Sequence, residues 1–190
     1  MQTTNTVNFV LSGLGGQGIL FMTKILAQAA LRQGLPVMGA ETHGMAQRGG
    51  SVISHLRIGG AESSLVRAGT AHFLLALEEN EAYRSLPFLA GKGRLYANAA
   101  PDIFPGPVVK DYLDNMGIVY HAASASDIAF SLGAPMSSNL ALLGFFAAFG
   151  EGPLSPDEIR ASIDEASPER FKNQNIKVFE AGFEEGRRDL

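Results

Sequence analysis

The apolar run at residues 7–11, set after a polar start, reads as a buried strand. Past a glycine-rich stretch, Ile19, Met22, Ile25, Leu26, Ala29 and Ala30 recur with the period of a helix, which the pattern places at about 19–33. Gly34 closes that helix and Pro36 follows two residues later. Residues 37–41 read as a second strand. Residues 51–58 read as a third, turned back by Gly59 and Gly60 towards a short antiparallel strand at 63–66. The unbroken apolar run at 73–77 marks a strand covered on both faces. A short helix at 78–86, stopped by Pro87, and a strand at 94–98 come next.

Three prolines make 99–107 a loop. Beyond it the pattern gives a helix at 108–116, a strand at 118–121, and a helix at 124–132 with Ser124 as its cap and Asp127 three residues on. Met136, Ser137, Ser138 and Asn139 open a helix at 140–149 that is apolar on nearly every side, with Leu140, Leu142, Leu143, Phe145, Phe146 and Phe149. Such a helix is buried all round, either at a subunit interface or at the centre of its own fold. Ser155, Pro156 and Glu158 start another helix, and Ser167-Pro168 repeats that start for a last one running to about residue 186. The alternation predicts a single α/β domain over 1–190. Its expected form is a three-layer sandwich with a mostly parallel sheet and a mixed edge from the hairpin-like 51–66 region.

Composition narrows the setting. The chain has 190 residues, 46% hydrophobic and 18% charged, which is apolar for a free monomer and shifts weight towards a subunit that buries part of its surface. A homodimer of the isolated chain is compatible with this. The net charge of −4 comes without basic runs and speaks against nucleic acid as a partner. Apolar runs fall short of the roughly 18 residues a membrane span needs. The start MQTTNTVN has neither the basic nor the apolar region of a signal peptide, so a cytoplasmic location is expected.

Two glycine-rich clusters carry the chemistry. In the first, Gly13, Gly15 and Gly18 fit G-x-G-x-x-G, with Gly16 and Gln17 between them, and the segment runs from a strand into a helix. Glycine lets the backbone turn tightly and approach a ligand, and unpaired N–H groups at the helix start favour an anion. The same spacing also serves a tight turn that binds nothing. The second cluster, Thr42 to Ser51, holds His43, Gln47, Arg48, Gly49 and Gly50. Arg48 is a fork of donors suited to carboxylate, phosphate or an acidic partner, and His43 can titrate, donate or accept. Both loops are expected side by side at one edge of the sheet, where α/β proteins bind ligands. Glu41 lies 23 residues after Gly18, near where a dinucleotide fold places its ribose-binding acid. A stand-alone nucleotide-binding protein is therefore an open alternative.

GLGGQGILFMTKILAQAAL followed by GAETHGMAQRGGSVISHLRIG resembles the gamma-type domain of 2-oxoacid:ferredoxin oxidoreductases. Within that family, ETHGMAQRGGSV is most similar to the beta subunits of the indolepyruvate branch. Sister enzymes for pyruvate or 2-oxoglutarate usually carry a Tyr-Gly version around the Arg-Gly-Gly core. The resemblance runs on through residues 74–78, Asn98 and Pro101, and more weakly through 138–144 and 175–182.

That resemblance implies one subunit of a complex that oxidatively decarboxylates arylpyruvates with coenzyme A and passes electrons to ferredoxin. It implies that thiamine diphosphate and the iron–sulfur clusters sit on a large (alpha) partner subunit, and that no residue here performs the chemical step. The implied ligand or coenzyme A contacts are Gly13, Gly15, Gly16, Gln17, Gly18, Glu41, His43, Gln47, Arg48, Gly49 and Gly50. The residues agree as far as they go. With no Cys the chain cannot ligate a cluster through thiolates, and it lacks a Gly-Asp-Gly…Asn-Asn pattern. His43, His55, His72 and His121 are scattered, and His55 and His72 adjoin strand runs that suit structural roles better than metal ligation.

Overall fold

The protein is described by a computed structural model covering residues 6–43 and 49–190. Six strands form one sheet, with β1 (Val7–Leu14) inside it. On one side β3 (Ser51–Ile58) lies antiparallel to β1, with β2 (Val37–His43) beyond. On the other side β4 (Ala71–Ala76), β5 (Leu89–Asn98) and β6 (Val119–Ala123) follow, each parallel to its neighbour. Five strands share one direction and β3 opposes them, which is the mostly parallel sheet with a mixed edge that the alternation predicts.

The antiparallel strand comes from the β2–β3 hairpin, and the expected strand at 63–66 does not form. Its polar groups are claimed by side chains instead. The Arg57 guanidinium donates to the Ser63 carbonyl and hydroxyl, both at 2.9 Å, and the Val66 N–H goes to His55 Nδ1 at 3.4 Å. A segment whose backbone is satisfied this way has no need of a neighbouring strand.

Helices cover both faces, and the strands alternate between two cores. Phe9 and Leu11 of β1, Phe73 and Leu75 of β4 and Tyr96 of β5 face one core. Val10, Leu74, Ala76, Leu95 and Ala97 face the other. The first core is roofed by α1 (Ile19–Arg32), α4 (Ala125–Ser131), α5 (Ser138–Ala148), α6 (Pro156–Ala166) and α7 (Lys172–Asp189). The second lies under α2 (Glu79–Ser85) and α3 (Pro107–Met116). Burial on both faces is why β1 and β4 read as continuous apolar runs.

Helix α5 is buried at every position from Ser138 to Ala147 within this fold, so it is the central helix and not a subunit interface. Glycines let α7 lie against it. A Cβ on Gly144 would collide with the Phe179 carbonyl, and one on Gly182 with the Ala141 carbonyl. Close backbone approach explains why both positions hold the smallest residue.

Elsewhere the corrections are local. β5 starts at Leu89 and not Arg94, because its first half contains Gly91, Lys92 and Gly93, which give no strand period. Ser124 does hold the cap position of α4, but its hydroxyl makes no capping bond. Asn98, at the end of β5, takes over: its Oδ1 accepts the Ser126 N–H at 3.0 Å and its amide donates to the Ser126 hydroxyl at 2.8 Å. Ser155 caps α6 as expected, accepting the Glu158 N–H at 3.2 Å. Ser167 does not repeat that motif. Its hydroxyl accepts from the Asn175 side chain, and a 3-10 turn, Glu169–Phe171, precedes α7.

Candidate functional site

The first glycine loop leaves the end of β1 and enters α1. Leu14 to Gln17 form a turn closed by the Gln17 N–H on the Leu14 carbonyl at 3.1 Å, with Gly16 at φ 98°, a conformation open to glycine at little cost. Gly18, at φ 80°, is the cap residue of α1. Among the described residues no side chain caps that helix start, and its first turn carries no acid. The first N–H groups of α1 are thus left to a ligand, a partner or water. They border a cleft of about 400 Å³ lined by Leu14, Gly15, Gly16, Gly18, Ile19, Leu20 and Val52.

The second loop closes the β2–β3 hairpin and meets the first directly: the Gly15 N–H donates to the Gly50 carbonyl at 2.9 Å. The register explains the meeting, since Leu14 pairs with Ser51 and Gly13 with Val52. The chain departs to opposite sides of β1, with α1 on one face and α2 on the other. The two loops therefore lie at a switch point beyond the carboxyl ends of β1 and β4.

Three residues absent from the sequence-based site hold these loops. Glu78, just after β4, accepts the Gln17 amide on Oε1 at 2.6 Å. Glu81, 2% exposed, accepts the Ser51 hydroxyl at 2.5 Å and the Arg84 guanidinium at 2.8 Å. Asn139, at the start of α5, donates to the Gly18 carbonyl at 3.3 Å. These partners lie 30 to 121 residues from the loops in sequence, beyond any local motif.

Among the sequence-predicted residues, Gly13, Gly15, Gly16, Gln17, Gly18, Gly49 and Gly50 gather at this edge. Gln47 and Arg48 lie outside the described residues, as do Gly44, Met45 and Ala46. His43 ends β2, level with Gly13 across β3. Glu41 does not reach the site. It pairs with Ser54, which pairs with Leu11, so it sits two strands from β1, about 10 Å away, and short of the strand end. A dinucleotide fold needs its acid on the strand beside β1, and here the antiparallel β3 occupies that place.

His55, His72 and His121 make structural contacts. His55 is 3% exposed, packs edge-on to Phe88 at 5.2 Å, and burial lowers its pKa. His72 accepts the Asn8 N–H at 3.0 Å, and desolvation lowers its pKa too. His121 stacks on Tyr96 at 5.4 Å and approaches Asp189 at 2.9 Å. Among the described residues no three His, Asp or Glu side chains are grouped to hold a metal. No helix among them is long and apolar enough to cross a membrane.

Residues 8–185 match the model of the pyruvate ferredoxin/flavodoxin oxidoreductase family. The chain belongs to this family. It is a subunit of a 2-oxoacid:ferredoxin oxidoreductase. A relative from Archaeoglobus fulgidus, named indolepyruvate oxidoreductase subunit IorB, is 33% identical across 93% of this chain and 94% of its own length. The ketoisovalerate oxidoreductase subunit VorA of Methanothermobacter thermautotrophicus is 28% identical across 97% of this chain but 37% of its own. Among solved structures, the gamma subunit of a keto/oxoacid ferredoxin oxidoreductase from Geobacter sulfurreducens superposes with a TM-score of 0.74 at 25% identity, covering 95% of this chain and 98% of the other. The stand-alone nucleotide-binding alternative finds no support in these matches.

Proposed function

We propose that this chain serves an oxidoreductase for indolepyruvate or a related arylpyruvate, and that its two glycine loops complete a ligand cleft against a large partner subunit. One observation carries the substrate class: the IorB relative is 33% identical over nearly the full length of both chains, whereas VorA is 28% identical within a chain more than twice as long, and a 2-oxoglutarate synthase subunit KorC of Archaeoglobus fulgidus, which also spans most of both chains, is 24% identical. In this reading the enzyme converts the 2-oxoacid and coenzyme A to an acyl-coenzyme A, with electrons leaving for ferredoxin. The partner carries thiamine diphosphate and the iron–sulfur clusters, and the assembly works in the cytoplasm.

The contribution of this chain is binding and orientation. The uncapped start of α1, with Gly15 and Gly16 exposed before it, suits a phosphate of coenzyme A or a carboxylate. Gly18 lines the cleft, Gly13, Gly49 and Gly50 belong to the loops that meet there, and Gln47, Arg48 and His43 are proposed from the sequence as further ligand contacts. Leu20, Phe130 and Met136 are exposed apolar side chains on segments that flank the Gly18–Asn139 contact, and they suit cover by the partner. Without the partner the same surface pairs two copies of the chain.

The test is co-purification of the tagged chain with its partner subunit, followed by an anaerobic assay of dye reduction dependent on indolepyruvate and coenzyme A. A large iron–sulfur partner with that activity supports the reading. A complex that reduces dye with another 2-oxoacid and not with indolepyruvate overturns the substrate class.

A further inference from the structure

We propose that Gln17 and Glu78 form a positioning pair: the Gln17 amide does not meet the ligand but fastens the glycine loop to the end of β4. The inference rests on the functional reading above for the location of the cleft, and it removes Gln17 from the set of ligand contacts.

A glutamine side chain offers one carbonyl oxygen and one NH2 group. In Gln17 both are engaged inward. Oε1 accepts the Leu14 N–H at 2.7 Å, and Nε2 donates to Glu78 Oε1 at 2.6 Å. Gly13 makes room for this pose. A Cβ there would stand 2.8 Å from Gln17 Oε1, 2.9 Å from Ile19 Cδ1 and 3.1 Å from the Leu77 Cβ. The first glycine of the motif is thus explained by the folded-back Gln17, not by approach of a ligand. Gly15 and Gly16, on the outer side of the turn, remain the exposed face of the loop. The carboxylate of Glu78 makes the tether charge-assisted, roughly twice as strong as a neutral bond. Its position just beyond β4 also matters, since β1 and β4 are neighbours and the switch-point crevice opens between their ends.

A role reversal tests this. In Gln17→Glu two carboxylates face each other and neither can donate, so the tether breaks. Glu78→Gln keeps a weaker amide–amide bond. In the double variant Gln17→Glu/Glu78→Gln, the new carboxylate at position 17 still accepts the Leu14 N–H, and the new amide at position 78 donates to it.

The first readout needs neither substrate nor partner: hydrogen exchange of the Leu14 amide, followed by NMR in the full chain. The exchange rate is expected to rise about tenfold or more in Gln17→Glu and to return to within about threefold of the parent in the double variant. The second readout is the assembled enzyme, where the KM for coenzyme A is expected to follow the same order, rising about tenfold and recovering, while kcat changes less. If the double variant restores Leu14 protection but the KM stays raised, Gln17 touches the anionic ligand and the proposal fails. If Leu14 exchange does not recover, the pair is not the tether, and the proposal fails on that alone. Absence of indolepyruvate activity in the parent complex faults the functional reading, while the exchange pattern still decides the pair.

Discussion

The side-chain amide of Asn139 donates to the Gly18 carbonyl at 3.3 Å across 121 residues of sequence. The same side chain accepts the Leu140 N–H at 2.9 Å, so it satisfies a free N–H in the first turn of α5 and steadies the start of α1 at once. Gly18 has φ 80°, and any Cβ there would collide with the Asn139 amide. Gly18→Ala is therefore expected to cost about 1–3 kcal/mol from backbone strain and collision together. Asn139→Ala is expected to cost about 1–2 kcal/mol. Because the second change removes the object of the collision, the double variant should cost less than the sum. Urea unfolding of the four proteins checks this, and simple additivity would mean the two residues do not act on each other.

Ser51 follows the second glycine loop and gives its hydroxyl to Glu81, a carboxylate 2% exposed. Hydrogen bonds to buried charges are worth about 1.5–3 kcal/mol. Ser51→Ala should lower stability by about 2 kcal/mol, measured by denaturant titration, because among the described residues the Glu81 carboxylate then keeps the Arg84 contact alone. A loss within experimental error would mean that solvent or another group replaces the hydroxyl.

Gly15 separates ligand contact from folding. Its φ is not in the left-handed region, and a Cβ would meet the Gly50 carbonyl at an ordinary 3.7 Å. Gly15→Val is expected to leave the melting temperature within a few degrees while raising the KM for coenzyme A or 2-oxoacid about tenfold or more in the complex. Unchanged constants would show that the outer face of the loop meets no ligand.

Packing between α5 and α7 gives a prediction independent of function. Gly144→Ala drives a methyl group into the Phe179 carbonyl and the Phe183 N–H, so one helix must shift. A loss of about 3 kcal/mol or more is expected by calorimetry or denaturant titration. A loss under about 1 kcal/mol would show that α7 moves freely away from α5.

Buried His55 sets a pH dependence. Burial lowers its folded pKa below the ordinary 6.5, so the unfolded chain binds a proton that the folded chain refuses. The stability this contributes is complete above about pH 6.5 and drains as pH falls through the folded value. Stability measured from pH 7.5 downward should decline, and His55→Gln should flatten part of that decline. A parallel decline in both proteins would assign it to other groups.

Much of this fold is legible in the sequence. The period of β3 places it at Ser51–Ile58, and the α1 stripe places its end to within a residue. Continuous apolar runs identify β1 and β4 because burial on both faces leaves no alternation. What escapes is non-local. Gly91, Lys92 and Gly93 carry no hydrophobic period because they lie where the β4–β5 register shifts, between the pairs Leu89–Ala71 and Arg94–Phe73. Asn98 replaces Ser124 as the working cap of α4 from the neighbouring strand end. The spacing from Gly18 to Glu41 resembles a dinucleotide site, but sequence distance is blind to β3 inserting between β1 and β2. At the site, the glycines are visible as a motif, while Glu78, Glu81 and Asn139 are ordinary residues until the fold sets them beside Gln17, Ser51 and Gly18.

The most direct measurement is a substrate comparison in the assembled, partner-bound enzyme: kcat/KM for indolepyruvate, 2-oxoisovalerate, pyruvate and 2-oxoglutarate, each with coenzyme A and ferredoxin as acceptor. The account predicts that indolepyruvate exceeds the other three by at least about tenfold, and that omitting this chain abolishes turnover. An enzyme that prefers any of the other acids, or that turns over equally well without this chain, would contradict it.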